Sequence, residues 1–441
     1  ATLRDMKMKQ QEFADRRKEL MAMAGNGSII IQPSSQEHVR NRDVYYPYRP
    51  DSDFHFLTGF GEPLSVAVLI PGRPQGEFIL FCREKDQDAE IWHGRRSGLE
   101  GACAFYGADD AFPIEDLDEI LPGLLENKDR IYYTMGRYAD FDQRVISWLN
   151  HVTKMARAGV HAPDQFISLS HLVHEMRLIK SPAEIRVMRR AAAISSTAHS
   201  RAMKITKPGL FEYQVEAEIM HSFMDQGSRS PAYPSIVGAG RNSCILHYTE
   251  NNEKLKNGDM LLIDAGAELE SYASDITRTF PVNGKFSRNQ KIVYEIVLAA
   301  QLAAIAEVKP GNRWNQPHDA AVAVITEGLL NMGILKGSLQ KLIQTEACHP
   351  YYMHKTGHWL GMDVHDVGDY KIADQWRVFE PGMVTTIEPG LYFSAFTKGL
   401  PKKWHNIGIR IEDDVLVTSS GCDVLSDAPK TVKEIEDLMR A

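Results

Sequence analysis

Through the first 175 residues, short apolar runs alternate with amphipathic stretches. The opening segment ATLRDMKMKQQEFADRRKEL reads as a charged amphipathic helix. Ser28-Ile29-Ile30-Ile31, the run from Ser65 to Ile70 and the run from Glu77 to Phe81 read as strands, because β-branched and aromatic residues dominate them. Residues 114–126 read as a helix, and Arg130-Ile131-Tyr132-Tyr133 reads as a further strand. This succession predicts an α/β domain with a mixed sheet over residues 1–175. The polar stretch at residues 158–163 marks the approach to its boundary.

From residue 176 the apolar spacing becomes helical. Ser181-Pro182-Ala183-Glu184 places Ser at an N-cap, Pro at the first helical position and Glu three residues past the cap, which is a capping box. That helix should stop at Lys207-Pro208-Gly209, and a second one over residues 211–224 should end by Gly227. The pattern then recurs. A helix from about Gln290 stops at Lys309-Pro310-Gly311, and another ends near Gly333. The two Lys-Pro-Gly stops lie 309 − 207 = 102 residues apart. A divergent internal duplication follows, and residues 176–441 are expected to form two α+β halves about a pseudo-twofold axis.

Five acid and imidazole side chains stand on strand-like or Gly-punctuated segments of this second domain. They are Asp264, Asp275, His358, Glu388 and Glu412. Asp264 ends the apolar run Met260 to Ile263, and Asp275 lies on a β-branched return strand. With Leu269-Glu270 as the hairpin tip, the two face each other, where like charges about 5 Å apart repel unless a cation lies between them. Two solvent-facing strand aspartates would have the same pattern. In Ile407 to Glu412, period-2 alternation puts Arg410 and Glu412 on one face, so Arg410 can hold a neighbouring carboxylate or simply pair with Glu412. Glu388 ends the run Met383 to Ile387, before Pro389-Gly390. Four carboxylates and one imidazole carry a formal charge of about −4, which two divalent cations neutralise; an oxygen-rich, sulfur-free set suits Mn²⁺, with Co²⁺ or Zn²⁺ as alternatives. Two such ions can share and activate one water, which points to a hydrolase.

At 441 residues the chain can hold two or three domains, and 43% hydrophobic and 24% charged residues describe a soluble globular protein. A net charge of −8 argues against nucleic-acid and acidic-membrane partners. No run approaches the ~20 apolar residues of a membrane helix, and the opening segment lacks a secretory apolar core. Five unclustered cysteines fit free thiols in a reducing cytoplasm, and none has metal-site spacing.

The segments IDAGAELESYASDITRTF, HKTGHWLGMDVHDVG, TTIEPGLYF and GIRIEDD resemble the metal-dependent proline peptidases with the pita-bread fold. YYPYRPDSDFHFLTGF and AEIWHGRRSG in the first half are similar to the Xaa-Pro aminopeptidases (aminopeptidase P) rather than to prolidases or methionine aminopeptidases. The resemblance implies that Asp264, Asp275, His358, Glu388 and Glu412 bind two metal ions, with Asp275 and Glu412 bridging them. It further implies substrate contacts and proton steering by His247, His354 and His365, and positions near the site for Tyr233, Tyr370 and Tyr392. Asp43 and Trp92 match positions through which the N-terminal domain reaches a substrate pocket in oligomeric relatives, so a homodimer or homotetramer is expected. Structural histidines and core aromatics are the plainer alternatives for these residues. One departure concerns Lys355, which follows His354 where the family usually has Gly.

The implied reaction releases the first residue of peptides with proline in second place. The Xaa-Pro bond is a tertiary amide without an N–H, so recognition by strand addition loses a hydrogen bond there. A shared hydroxide would attack the scissile carbonyl, Glu388 would take the proton and pass it to the proline nitrogen, and His247 or His365 would stabilise the oxyanion. The rival readings are a prolidase restricted to dipeptides, with a possible organophosphorus hydrolase side activity, and a non-catalytic pita-bread binding module. Creatinase shares the fold but lacks this ligand set.

Overall fold

A computed structural model describes residues 8–441, and it divides into two compact units, one ending at Arg177 and the other beginning at Leu178. The first seven residues of the expected N-terminal helix lie outside the described part; the helix itself runs Gln10–Ala24.

In the first unit, six strands form one sheet in the order Asp110–Pro113, Phe78–Cys82, Val66–Leu69, Ser28–Pro33, Arg130–Tyr132 and Gln165–Ile167. The three central strands are antiparallel and the outer pairs parallel, so the sheet is mixed. Alternation decides which side carries the core. Ile29 and Ile31, Val66 and Val68, and Ile79 and Phe81 pack with Leu117, Leu121 and Leu125 of one helix and with Phe141, Val145, Trp148 and Val152 of another. Those helical residues recur every three or four positions, the spacing of a single buried stripe. The expected helix at 114–126 begins as a 3-10 turn, Ile114–Asp116, before Leu117–Leu125.

A buried charge cluster closes this unit. Asp53 accepts from Arg177 at 2.6 Å and lies 3.2 Å from His174 Nε2, and both Asp53 and Arg177 are buried. Burial alone would raise the Asp53 pKa, but His174 and Arg177 outweigh it and hold the carboxyl well below the usual range.

The second unit shows the duplication in its element order. Helices Pro182–Ile205 and Glu212–Asp225 precede an antiparallel sheet of Ile236–Ala239, Met260–Asp264 and Thr277–Pro281. Helices Arg288–Ala306 and Gln316–Asn331 precede a second antiparallel sheet of Val384–Ile387, Asp413–Val417 and Cys422–Val424. Both leading helices open with a complete capping box, Ser181 with Glu184 and Ser287 with Gln290. A two-stranded ribbon, Gly390–Phe393 with Ile407–Arg410, adds to the second half.

The hairpin register differs from the sequence reading. Leu269 pairs with Tyr272 and Asp264 with Thr277, so the tip is Glu270-Ser271 and Asp264 does not face Asp275. The cause is the turn: Glu270 and Ser271 both take left-handed conformations, φ +48° and +65°, which a two-residue hairpin needs even without Asn-Gly. The slip of two places keeps every side chain on its expected face.

Arg177→Met should lower first-unit stability by about 1–3 kcal/mol, since it removes a buried charged hydrogen-bond partner of Asp53 while His174 and Arg137 remain beside it. The measurement is the urea midpoint at neutral pH. Because Asp53 titrates lower in the folded state than its unfolded value near 4, the pair's contribution is present above about pH 4 and lost as pH falls below it. The difference between wild type and variant should therefore shrink in acid.

Candidate metal centre

Each of the five candidate residues is delivered by a different local device. Asp264 is the last residue of a central strand, and Asp275 lies two residues before the next strand. Glu388 follows the strand Val384–Ile387, and its N–H donates to the Thr356 carbonyl at 2.7 Å. Glu412 lies between Ile407–Arg410 and Asp413–Val417, in an antiparallel bridge to Thr277. His358 stands on the irregular segment that runs beside Val384–Ile387; its N–H donates to Thr386 Oγ1 at 3.1 Å, and its carbonyl accepts from Thr386 N at 2.9 Å. Gly357 makes that approach possible, since a Cβ there would overlap the Thr386 carbonyl oxygen.

The side chains converge. One ligand atom each from Asp275, His358 and Glu412 lies within 4.8 Å of the others. His358 Nε2 is 3.3 Å from Asp275 Oδ2 and 3.5 Å from Glu388 Oε1. Asp264 joins through Tyr233, whose hydroxyl is 2.6 Å from Asp264 Oδ1 and 2.6 Å from Asp275 Oδ1. One phenolic proton serves only one of these two carboxylates. Thr277 Oγ1 donates to Glu412 Oε2 at 2.5 Å.

These groups suit a cation, as two observations show. His358 Nδ1 lies 2.8 Å from the Trp359 carbonyl, which can only accept, so Nδ1 keeps its proton and Nε2 is the nitrogen that faces the carboxylates; a cation bound there would take the place of the Nε2 proton. The carboxylates are also short of positive charge. Burial, and after it repulsion from Asp275, pushes Glu388 up to about 7. Burial and the charges of Asp275, Glu388 and Asp264 push Glu412 well above the ordinary range, and burial raises Asp264 as well despite Arg410. Burial opposes charge on Asp275 and His358 too, but their mutual hydrogen bond wins, lowering Asp275 and raising His358 to about 9. An oxygen-rich set with one imidazole, lacking sulfur, fits divalent first-row cations.

Arg410 takes a different role from pairing with Glu412. It is buried, donating to Asp264 Oδ2 at 2.7 Å, to the Tyr392 hydroxyl at 3.0 Å and to Thr277 Oγ1 at 3.3 Å. Tyr392 lies 2.7 Å from His354 Nε2, and His354 Nδ1 lies 2.8 Å from the Lys355 carbonyl. The acceptor-only carbonyl fixes the direction: Nδ1 carries the proton and the tyrosine donates to Nε2. Burial, helped by Arg410, keeps His354 neutral, with a pKa of about 4.

A cavity of about 590 Å³ lies over these groups, and Tyr233, His247, His354 and His365 line it together with the five candidates. The His365 ring packs edge-on against His358 at 4.4 Å. Two expected substrate residues lie elsewhere. Tyr370 stacks flat on Trp359 and accepts its N–H at 3.1 Å, so it braces the residue after His358 instead of lining the cavity. Tyr392 is 1% exposed and reaches the site only through Arg410 and His354. Asp43 and Trp92 are exposed residues of the first unit. Thr277, Thr386 and Lys355 are the residues that the sequence reading did not place in the site. Thr277 was within reach, because the true hairpin register sets it opposite Asp264.

Comparison with known proteins covers both units. Residues 186–419 match the model of metallopeptidase family M24, and residues 13–132 match that of the aminopeptidase P N-terminal domain. The chain is 45% identical to the Xaa-Pro aminopeptidase of Escherichia coli K12 and 42% identical to that of Haemophilus influenzae, in each case over 98% of both proteins. Among solved structures, the aminopeptidase PepP of Pseudomonas aeruginosa superposes with a TM-score of 0.98 at 54% identity over 99% of both chains. A zinc-substituted E. coli aminopeptidase P in complex with product gives 0.96 at 44% identity, over 98% of this chain and 99% of that one. The pita-bread architecture of the second unit, expected from the sequence, is thereby shown.

Thr277→Val should weaken Mn²⁺ binding roughly 10- to 100-fold, because it removes the hydrogen bond that orients Glu412 while keeping side-chain shape. Calorimetric titration with Mn²⁺ measures this directly. An unchanged affinity would reduce Thr277 to packing.

Proposed function

The chain belongs to metallopeptidase family M24 and removes the first residue of peptides with proline in second place, and we propose that it does so with two divalent ions held by Asp264, Asp275, His358, Glu388 and Glu412. The observation that carries the ligand assignment is the convergence of four carboxylates and one outward-tethered imidazole at the floor of a single cavity. Mn²⁺ is the ion we favour, on the ground of the oxygen-rich donor set.

When bound, divalent ions supply Lewis acidity, polarising the scissile carbonyl and making water a nucleophile at neutral pH. The chain's own residues manage the protons. Glu388, at the cavity floor, takes the proton released as water adds to the carbonyl carbon, and returns it to the proline nitrogen as the C–N bond breaks. Without that return the leaving group would be an amide anion. His247 and His365, on the cavity wall, stabilise the oxygen charge that develops on the tetrahedral carbon. Arg410, Tyr392 and His354 act as positioning residues: their chain of hydrogen bonds fixes Asp264 at one end and the His354 ring at the other. The apolar part of the wall, including Leu246 and Val364, suits a proline ring.

Asp43 and Trp92 we assign to substrate-pocket contacts within a homodimer or homotetramer. Ile91 and Trp92 are 78% and 81% exposed, the kind of adjacent apolar surface that a partner covers. A cytoplasmic location suits the five free cysteines, and no helix among the described residues is long and apolar enough to cross a membrane.

Elemental analysis of protein reconstituted with Mn²⁺ should approach two ions per chain. Full activity at fewer than one would remove the second ion from the reading. Specificity provides the second test. Peptides beginning Arg-Pro-Pro should lose only their first arginine, and N-acetylation should abolish cleavage. Rapid cleavage of Xaa-Pro dipeptides, with longer chains untouched, would assign prolidase activity instead.

A further inference from the structure

Two cationic side chains, Arg410 and Lys355, line the cavity. Arg410 is 3% exposed and its guanidinium is committed to Asp264, Tyr392 and Thr277. Lys355 is different in both respects. It is exposed, and its ammonium makes no ion pair with any described residue. The chain around it is nevertheless held firmly. The Lys355 carbonyl accepts from His354, and Thr356 Oγ1 lies 2.5 Å from the Tyr352 hydroxyl and 2.8 Å from His318 Nδ1. The Thr356 carbonyl accepts from Glu388, and Gly357 is pressed against the Thr386 carbonyl. An exposed ammonium on a fixed root thus belongs to the lining of the cavity that the candidate carboxylates share, on the side near His318. The smaller cavity that Lys355 also borders, about 40 Å³ beside Trp314, Pro317 and Phe379, is too small and too apolar to hold the ammonium.

Once the floor carboxylates are neutralised by divalent ions, Arg410 stays tied by hydrogen bonds in the interior, whereas the exposed Lys355 is the cation that can meet an incoming anion. A peptide bound with its free amine toward the floor has its carboxylate at the opposite end. Three residues span at most about 10 Å, so the carboxylate of a tripeptide stays within a cavity of this size, whereas that of a long peptide does not. We propose that Lys355 is a specificity-determining residue that binds a carboxylate on the leaving-group side of the substrate, favouring short Xaa-Pro-Yaa peptides with a free C-terminus. The proposal rests on the aminopeptidase reading and adds to it a preference for substrate length and charge.

The test compares Arg-Pro-Pro, its C-terminal amide and Arg-Pro-Glu amide on metal-loaded wild type, Lys355→Arg and Lys355→Met. Wild type should show a KM for the free acid about three- to tenfold below that for the amide, the size of a partly exposed charge pair. The advantage should survive in Lys355→Arg, shrink at high salt and fall within twofold in Lys355→Met. If Arg-Pro-Glu amide matches the free acid, the side-chain carboxylate is also a ligand; if it matches the amide, only the terminal carboxylate is. Binding provides a readout independent of turnover: in calorimetric titration the dipeptide product Pro-Pro should bind wild type more tightly than its amide, and Lys355→Met should lose that difference. An acid-to-amide ratio unchanged by Lys355→Met would overturn the proposal. No release of arginine from any peptide by any of the three enzymes would overturn the aminopeptidase reading itself.

Discussion

The catalytic unit depends on one buried ion pair at the junction of its two halves. Arg278 comes from the first half and Asp413 from the second; both are fully buried, and Nη2 donates to Oδ1 at 2.7 Å. Arg278 also donates to the carbonyls of Thr277, Glu412, Ala428 and Pro429, while Lys430, Gln301 and Ser426 complete the shell of Asp413. A buried charge pair is stabilising only when its remaining hydrogen-bonding capacity is met, and here it is met from both sides. Burial would favour neutral Asp413, but Arg278 and Lys430 keep it charged.

The placement of this pair explains how four mutually repelling carboxylates can be gathered. Thr277 and Glu412 form an antiparallel bridge, and the next residue on each strand is a member of the ion pair. Strand alternation therefore turns Thr277 and Glu412 to the side of the cavity, which Glu412 lines, and Arg278 and Asp413 to the opposite face. Repulsion on one face is opposed by attraction one residue away. The second cationic anchor, Arg410, acts within the cavity itself, tying first-half Asp264 to Tyr392 and His354 of the second half.

The parts of this arrangement that were legible in the sequence are those set by local chemistry. The helix start at Ser181 follows from side chains three residues apart, and the inner strands of the first unit follow from their apolar runs; the matching cap at Ser287 went unread, and that helix was expected only from about Gln290. The edge strands Asp110–Pro113 and Gln165–Ile167 were not legible, because they are short and not one of their residues is buried. The five candidate ligands could be proposed because isolated acids at strand ends demand a reason. Their company could not. Thr277 serves Glu412 across 135 residues of sequence, and Arg410 serves Asp264 across 146, so no local window holds either pair. Tyr370 and Tyr392 were expected near the site from resemblance, and resemblance does not say which way a ring points; the plainer alternative, core aromatics, describes them better.

The same long separations bear on how the protein is made. Asp413 emerges from the ribosome 135 residues after Arg278, a delay on the order of ten seconds at ordinary translation rates. His358, Glu388 and Glu412 are made in the interval between the two, so the candidate ligands are gathered one by one before the ion pair that secures the seam can form. A chain that ends within the second half thus lacks part of the candidate ligand set, and topology alone delays the assembly of the site until the second half has been made.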